Sequence, residues 1–157
     1  MLTEAIFIAF FVIGIQLAVP LLLAGLGELV QEKSGVLNIG IEGVMLIGAF
    51  TTAFIGIETG SPYLALLAGG LVGILCGVTL AFLYVYRGTD QIVTGLMFNI
   101  FAFGLTGTLH GLFLGGQVGP TLPAIQIPFL SDIKWLGSII NQQNMMLYLG
   151  LIFMIFV

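Results

Sequence analysis

Two short stretches of this chain set polar side chains able to do chemistry at helical spacing. In the first, "SGVLNIGIEG" at 34–43, Ser34, Asn38 and Glu42 recur at four-residue steps with Gly35, Gly40 and Gly43 between them. That spacing would put three polar groups on one helix face, and Ser34 is of the type that caps a helix, yet the glycines work against an unbroken helix. In the second, Gln91, Gly95, Asn99, Ala102, Thr106 and His110 fall within one sector of about 100° on a helical wheel, and phenylalanine and leucine fill most of the rest. Neutral amides, hydroxyls and one carboxylate suit hydrogen bonding to a polar solute, or a cation at Glu42. They do not suit hydrolysis. The chain has one histidine and one cysteine and lacks HExxH, GxSxG and P-loop motifs, so zinc hydrolysis, acyl transfer and ATP hydrolysis are without their residues.

Composition places these stretches in lipid. Of 157 residues, 59% are hydrophobic and 6% charged, against roughly 25% charged in a soluble domain. The chain reads as an integral membrane protein. Its three basic residues, Lys33, Arg87 and Lys134, are scattered in a chain of net charge −4, which leaves no footprint for nucleic acid. Cys76 has no partner for a disulfide or a cysteine-based metal site and reads as a small core residue.

Spanning the bilayer core takes about 20 apolar residues in helical form. Four segments qualify, near residues 5–26, 36–57, 62–86 and 92–114. A fifth starts at Met145 and has 13 residues to Val157, roughly 20 Å of helix against a core of about 30 Å. The expected fold class is therefore all-α: a polytopic helical membrane protein of four complete spans and a truncated fifth, with a broken helix around residues 34–43. The apolar N-terminus is too long for a signal core and opens with an acidic residue, so it reads as a retained span. Lys33 and Arg87 fall in alternate loops on one side, which the positive-inside tendency makes cytoplasmic, and the N-terminus then faces out. Lys134 lies beside Asp132 in the long opposite loop.

Each span adds an expectation. Pro20 predicts a bend where Gln16 covers the freed backbone group. Ala65, Gly69, Gly73, Gly77 and Ala81 form a smooth stripe for close packing, with either another helix of the chain or a second subunit as the neighbour. The polar face of the fourth span either lines a solute path or makes interhelical hydrogen bonds through Asn99. His110 reads as an interfacial histidine. Glu42 carries the strongest signal, because a carboxylate within a span costs several kcal/mol unless paired or hydrated. It is either functional or a structural carboxylate held by the amides near Gly40 and Gly43.

The segments "LLLAGLGELVQEKSGVLNIGIEGVMLIGAF", "RGTDQIVTGLMFNIFAFGLT" and "GPTLPAIQIPFLSDIKWLG" together resemble the permease subunits of bacterial ABC importers of the ribose, simple-sugar and nucleoside type, related to the branched-chain amino acid permeases. The nucleoside-type branch is the nearest match. The resemblance covers essentially the whole chain. It implies a multi-pass subunit in the bacterial plasma membrane that forms part of the path for a small polar solute. It also implies a second permease subunit, cytoplasmic ABC ATPases carrying ATP and Mg, and an external solute-binding protein as partners, with no cofactor in this chain. Gly35, Asn38, Gly40, Glu42 and Gly43 would form a broken helix near the path, with Gln91 and Asn99 on a neighbouring helix. The loop that docks on the ATPase would follow the span beginning near Met145, so the chain is expected to be the N-terminal half of a longer permease, a single transmembrane domain. An ion-coupled transporter or channel subunit, with Glu42 as the ion site, is the rival reading.

Overall fold

The computed structural model describes residues 2–124 and 141–157; Pro128, Asp132, Lys134 and Trp135 lie outside the described residues. Helix accounts for most of the described chain. The elements are α1 (Leu2–Lys33), α2 (Ile41–Thr59), α3 (Pro62–Ala81) continued by a π-helical turn (Phe82–Tyr86), α4 (Gln91–Leu109) continued by a second π turn (His110–Leu114), and α5 (Met145–Phe156). Helices satisfy their own backbone groups, which hydrocarbon cannot do. Four of them are long and apolar enough to cross a membrane: Ile6–Lys33, Ile41–Thr59, Pro62–Tyr86 and Gln91–Leu114. Met145–Phe156 is shorter.

These bounds correct the sequence reading at two points. α1 runs through Pro20 as far as Lys33, seven residues beyond the expected end near Leu26. Gln16 does not turn back on its own helix; its side-chain amide donates to the Gln142 carbonyl at 3.2 Å.

The chain divides into two compact units, residues 30–121 and the segments 1–29 and 122–157. In the second of these, α5 meets α1: a Cβ added at Gly150 would lie 2.8 Å from Leu22 Cδ2, so the absent side chain is what admits the leucine. Ala124 and Asn144 form an isolated antiparallel bridge just before α5.

In the unit 30–121, α2 packs against both α3 and α4. α3 starts on a built stop: Ser61 accepts from the Leu64 amide and Pro62 occupies the first turn, where a missing N–H costs nothing. The small-residue stripe of α3 is only half used. Ala65 and Gly69 are buried, and a Cβ at Gly69 would collide with the Thr52 hydroxyl of α2, whereas Cβ atoms at Gly73 or Gly77 would meet nothing within 4 Å. Leu67, Leu71, Ile74, Leu75 and Val78 are exposed. In water such a face would be an aggregation hazard; in lipid it is the solvated surface.

After α4, the chain from Gly115 to Pro123 is non-helical, as its prolines require. Gly119 and Pro120 lie against α2, with Pro120 Cδ 3.3 Å from where a Cβ of Gly56 would stand.

Candidate functional site

The break between α1 and α2 is where the sequence-selected residues converge. α1 ends by a Schellman arrangement: the Val36 amide donates to the Gln31 carbonyl at 3.3 Å and the Gly35 amide to the Glu32 carbonyl at 2.9 Å. Gly35 has φ +83, a left-handed conformation that costs glycine little and other residues more. Ser34 does not cap the next helix. Its hydroxyl donates back to the Gln31 carbonyl at 2.7 Å, completing the stop.

Residues 36–40 are non-helical and α2 begins at Ile41, so Ser34, Asn38 and Glu42 do not share a helix face. The break is therefore a full interruption of seven residues, 34–40, between two helices. Both of its flanks need hydrogen-bond partners, and α4 supplies them. Gln91 Oε1 accepts from the Leu37 amide at 2.9 Å. Asn99 Oδ1 accepts from the Gly43 amide at 2.7 Å, and Asn99 Nδ2 donates to the Ile39 carbonyl at 2.8 Å.

These bonds explain a missing cap. The first amides of a helix lack intrahelical partners and are normally met by the N-cap side chain, but α2 has Gly40 at its N-cap and no side-chain cap of its own. Asn99 performs that function from the neighbouring helix, and its other amide atom ties down the strand of chain entering the cap. Such contact requires close approach. A Cβ at Gly95 would lie 2.8 Å from the Gly40 nitrogen and 2.9 Å from Ile39 Cβ, and one at Gly43 would lie 2.8 Å from Phe98 Cδ1 and 2.9 Å from Asn99 Oδ1. Glycine at these two positions lets the backbone of the break rest on α4.

Asn38 is buried, at 7% exposure, inside this arrangement. Glu42 is not. Its side chain is exposed and, among the described residues, makes no hydrogen bond or ion pair, so the expectation that its carboxylate holds the amides near Gly40 and Gly43 is corrected. The reason is directional: the Gly43 amide faces α4, and α4 provides the acceptor, while Glu42 is exposed in the first turn. An anion there still meets the positive end of the α2 dipole.

Sequence reasoning singled out Asn38, Glu42, Gln91 and Asn99, and the structure brings Asn38, Gln91 and Asn99 together on one break. It missed Leu80 of α3, 1% exposed, whose Cδ1 lies 3.0 Å from a Cβ built at Gly40. It also missed Phe98, which closes the other side of Gly43. A leucine and a phenylalanine in an apolar run carry no signal of such a role. The stripe on α4 is an interior face as expected: Gly95, Ala102 and Thr106 are buried, and His110 at its end is exposed.

The sequence of this chain is similar to those of known proteins. Residues 10–157 match the model of the family described as branched-chain amino acid transport system / permease component. A guanosine ABC transporter permease protein of Bacillus subtilis is 39% identical over 132 residues, covering 78% of this chain and 41% of that protein. A nucleoside ABC transporter permease protein of Lactococcus lactis subsp. cremoris is 31% identical over 134 residues, covering 80% of this chain and 42% of that protein. A glucose ABC transporter permease protein of Haloferax volcanii is 33% identical over 105 residues, covering 63% of this chain and 28% of that protein. The chain thus spans about two fifths or less of the length of these relatives. No solved structure matches it. With the family model matched over nearly the whole chain and four helices of membrane-spanning length, the chain is a multi-pass membrane protein that belongs to the branched-chain amino acid transport system permease family.

Proposed function

We propose that the chain is part of the permease subunit of an ATP-binding cassette importer, contributing to the path of a small neutral solute, a nucleoside or a simple sugar, across a bacterial inner membrane. The observation that carries this reading is the interrupted helix 34–40 held by Gln91 and Asn99, within a sequence that matches the permease family. A broken segment at membrane depth is stable only when protein or a cavity surrounds it, and transporters use such breaks where solute passes. Within it, Gln91 and Asn99 act as struts that fix the break. Asn38 is buried within it and Glu42 is exposed in the first turn of α2. Gly40 and Gly43 allow the close approach, and Gly35 ends α1.

In such an importer the energy would come from a cytoplasmic ATPase carrying ATP and Mg. A second permease subunit would complete the path and an external binding protein would deliver the solute. The test is uptake of radiolabelled guanosine and glucose into proteoliposomes holding the assembled transporter. Accumulation that requires ATP and no ion gradient is expected. Accumulation driven by a sodium or proton gradient without ATP would overturn the reading.

A further inference from the structure

A cavity of about 410 Å³ lies between α2 and the C-terminal half of α4, beyond the break. α2 starts at the break and α4 braces the break near its own start, so both helices run away from it in the same sense and the cavity sits toward their far ends. Its lining runs from Leu46 and Phe103 to Ala53, Leu114 and Gln117, the last of which belongs to the non-helical segment after α4. Just beyond Gln117 that segment has reached the opposite wall. A Cβ built at Gly119 would lie 3.6 Å from Ile57 Cγ1 and 3.6 Å from the Ala53 carbonyl oxygen, and Pro120 rests against Gly56. Residues 115–120 thus cross from the end of α4 to the end of α2 and roof the cavity at the end away from the break.

The root and the tip of this strap are held differently. At the root, the Gly115 amide donates to the His110 carbonyl at 3.3 Å, the Gln117 amide donates to the Leu114 carbonyl at 2.8 Å, and Phe113 of the π turn meets Phe54 of α2 edge-on at 5.7 Å between centroids. At the tip, among the described residues, no backbone hydrogen bond joins 116–121 to α2, and the contact is the packing of Gly119 and Pro120. Val118 is 91% exposed and holds to neither helix. Lifting the tip therefore breaks dispersion contacts and no hydrogen-bonded ladder, which is the mark of a segment that opens locally. Between root and tip stand Gly115 at φ +50 and Gly116 at φ +82, two consecutive residues whose backbone can pass between left- and right-handed states without a Cβ penalty.

We propose that residues 117–121 are a lid that swings on Gly115 and Gly116, shutting the cavity at its far end while Gly119 and Pro120 rest on α2 and opening it when they lift. The inference rests on the permease reading, in which α2 and α4 line the path, and says where that path is closed. Lids commonly move on a few loop or element-terminal residues that absorb the backbone change, and the glycine pair directly after the π turn stands at such a position.

The test uses the assembled transporter in proteoliposomes, with Cys76→Ala, Ile57→Cys and Gly119→Cys. The γ position of residue 57 lies 3.6 Å from the Cβ site of residue 119, close enough for a disulfide after a small adjustment. Oxidation is expected to abolish ATP-driven uptake of whichever of guanosine and glucose is carried, and dithiothreitol to restore it, which separates a shut lid from a folding defect. Uptake undiminished after complete oxidation would overturn the lid and leave the permease reading standing. A second protein tests the lid without transport. It carries Cys76→Ala and Thr106→Cys, a cavity residue only 8% exposed, and is treated with a charged methanethiosulfonate from the side on which α2 and α4 end. Adding Gly116→Ala should raise the rate of modification severalfold, because alanine resists the φ of +82 that the closed lid requires. An unchanged or slower rate would overturn the lid. Absence of ATP-driven uptake by the correctly assembled parent would overturn the permease reading, and the labelling rates would then decide on the lid by themselves.

Discussion

Asn99 caps α2 from outside it: its Oδ1 lies 2.7 Å from the amide of Gly43, the third residue of a helix that has no side-chain cap of its own. The same side chain holds the Ile39 carbonyl at 2.8 Å on the other side of the break. One amide thus fixes both flanks of the interruption, which neither an aspartate nor a leucine can do.

Replacing it should be costly. Asn99→Leu leaves a buried donor and acceptor unpaired, at about 1–3 kcal/mol for each lost partner. Thermal unfolding of the detergent-purified protein should show a clear fall in Tm. Asn99→Asp keeps the acceptor for Gly43 and loses the donor to Ile39, so its Tm should also lie below that of the parent. A Leu variant as stable as the parent would mean that the two hydrogen bonds do not hold the break.

The glycines divide into two groups with opposite signs. Gly43→Ala and Gly95→Ala drive a methyl against α4 or against the backbone of the break, at separations of 2.8–2.9 Å, and should destabilise. Gly73→Ala and Gly77→Ala meet nothing within 4 Å, and in a helix interior alanine is favoured over glycine by about 1 kcal/mol, so they should be neutral or stabilising in this chain. Midpoints of unfolding for the four variants test the division directly.

Glu42 makes a sharper case than its sequence position suggested. Because Asn99 already supplies the acceptor for Gly43, Glu42→Gln should change stability by no more than the roughly 0.3–1 kcal/mol of a first-turn helix-dipole interaction. ATP-driven uptake should persist in that variant. Loss of uptake at normal expression and assembly would show that the charge itself is needed, as in an ion-coupled mechanism.

The loop charges predict topology. With Cys76 replaced, a cysteine introduced at Gly88, next to Arg87, should resist an impermeant thiol reagent applied from outside, and one at Ala124 should react. The reverse labelling would invert the orientation.

Much of the architecture is written in composition and spacing. Hydrocarbon admits only self-satisfied backbone, so four long apolar runs could only be helices, and three glycines among polar residues at 34–43 argued for a break between two of them. The polar face of α4 was equally legible, because helical period alone gathers Gln91, Gly95, Asn99 and Thr106 on one side. What that face does was not. Ser34, Asn38 and Glu42 look equivalent at four-residue steps, yet the interruption sends them to three fates: a helix stop, a buried position within the break, and an exposed first turn. Whether Glu42 or Asn99 meets the Gly43 amide depends on the direction in which that amide points, and hence on where α4 lies. A spacing rule describes neighbours along one helix; the partner of a backbone group 56 residues away is decided only when the two helices are brought together.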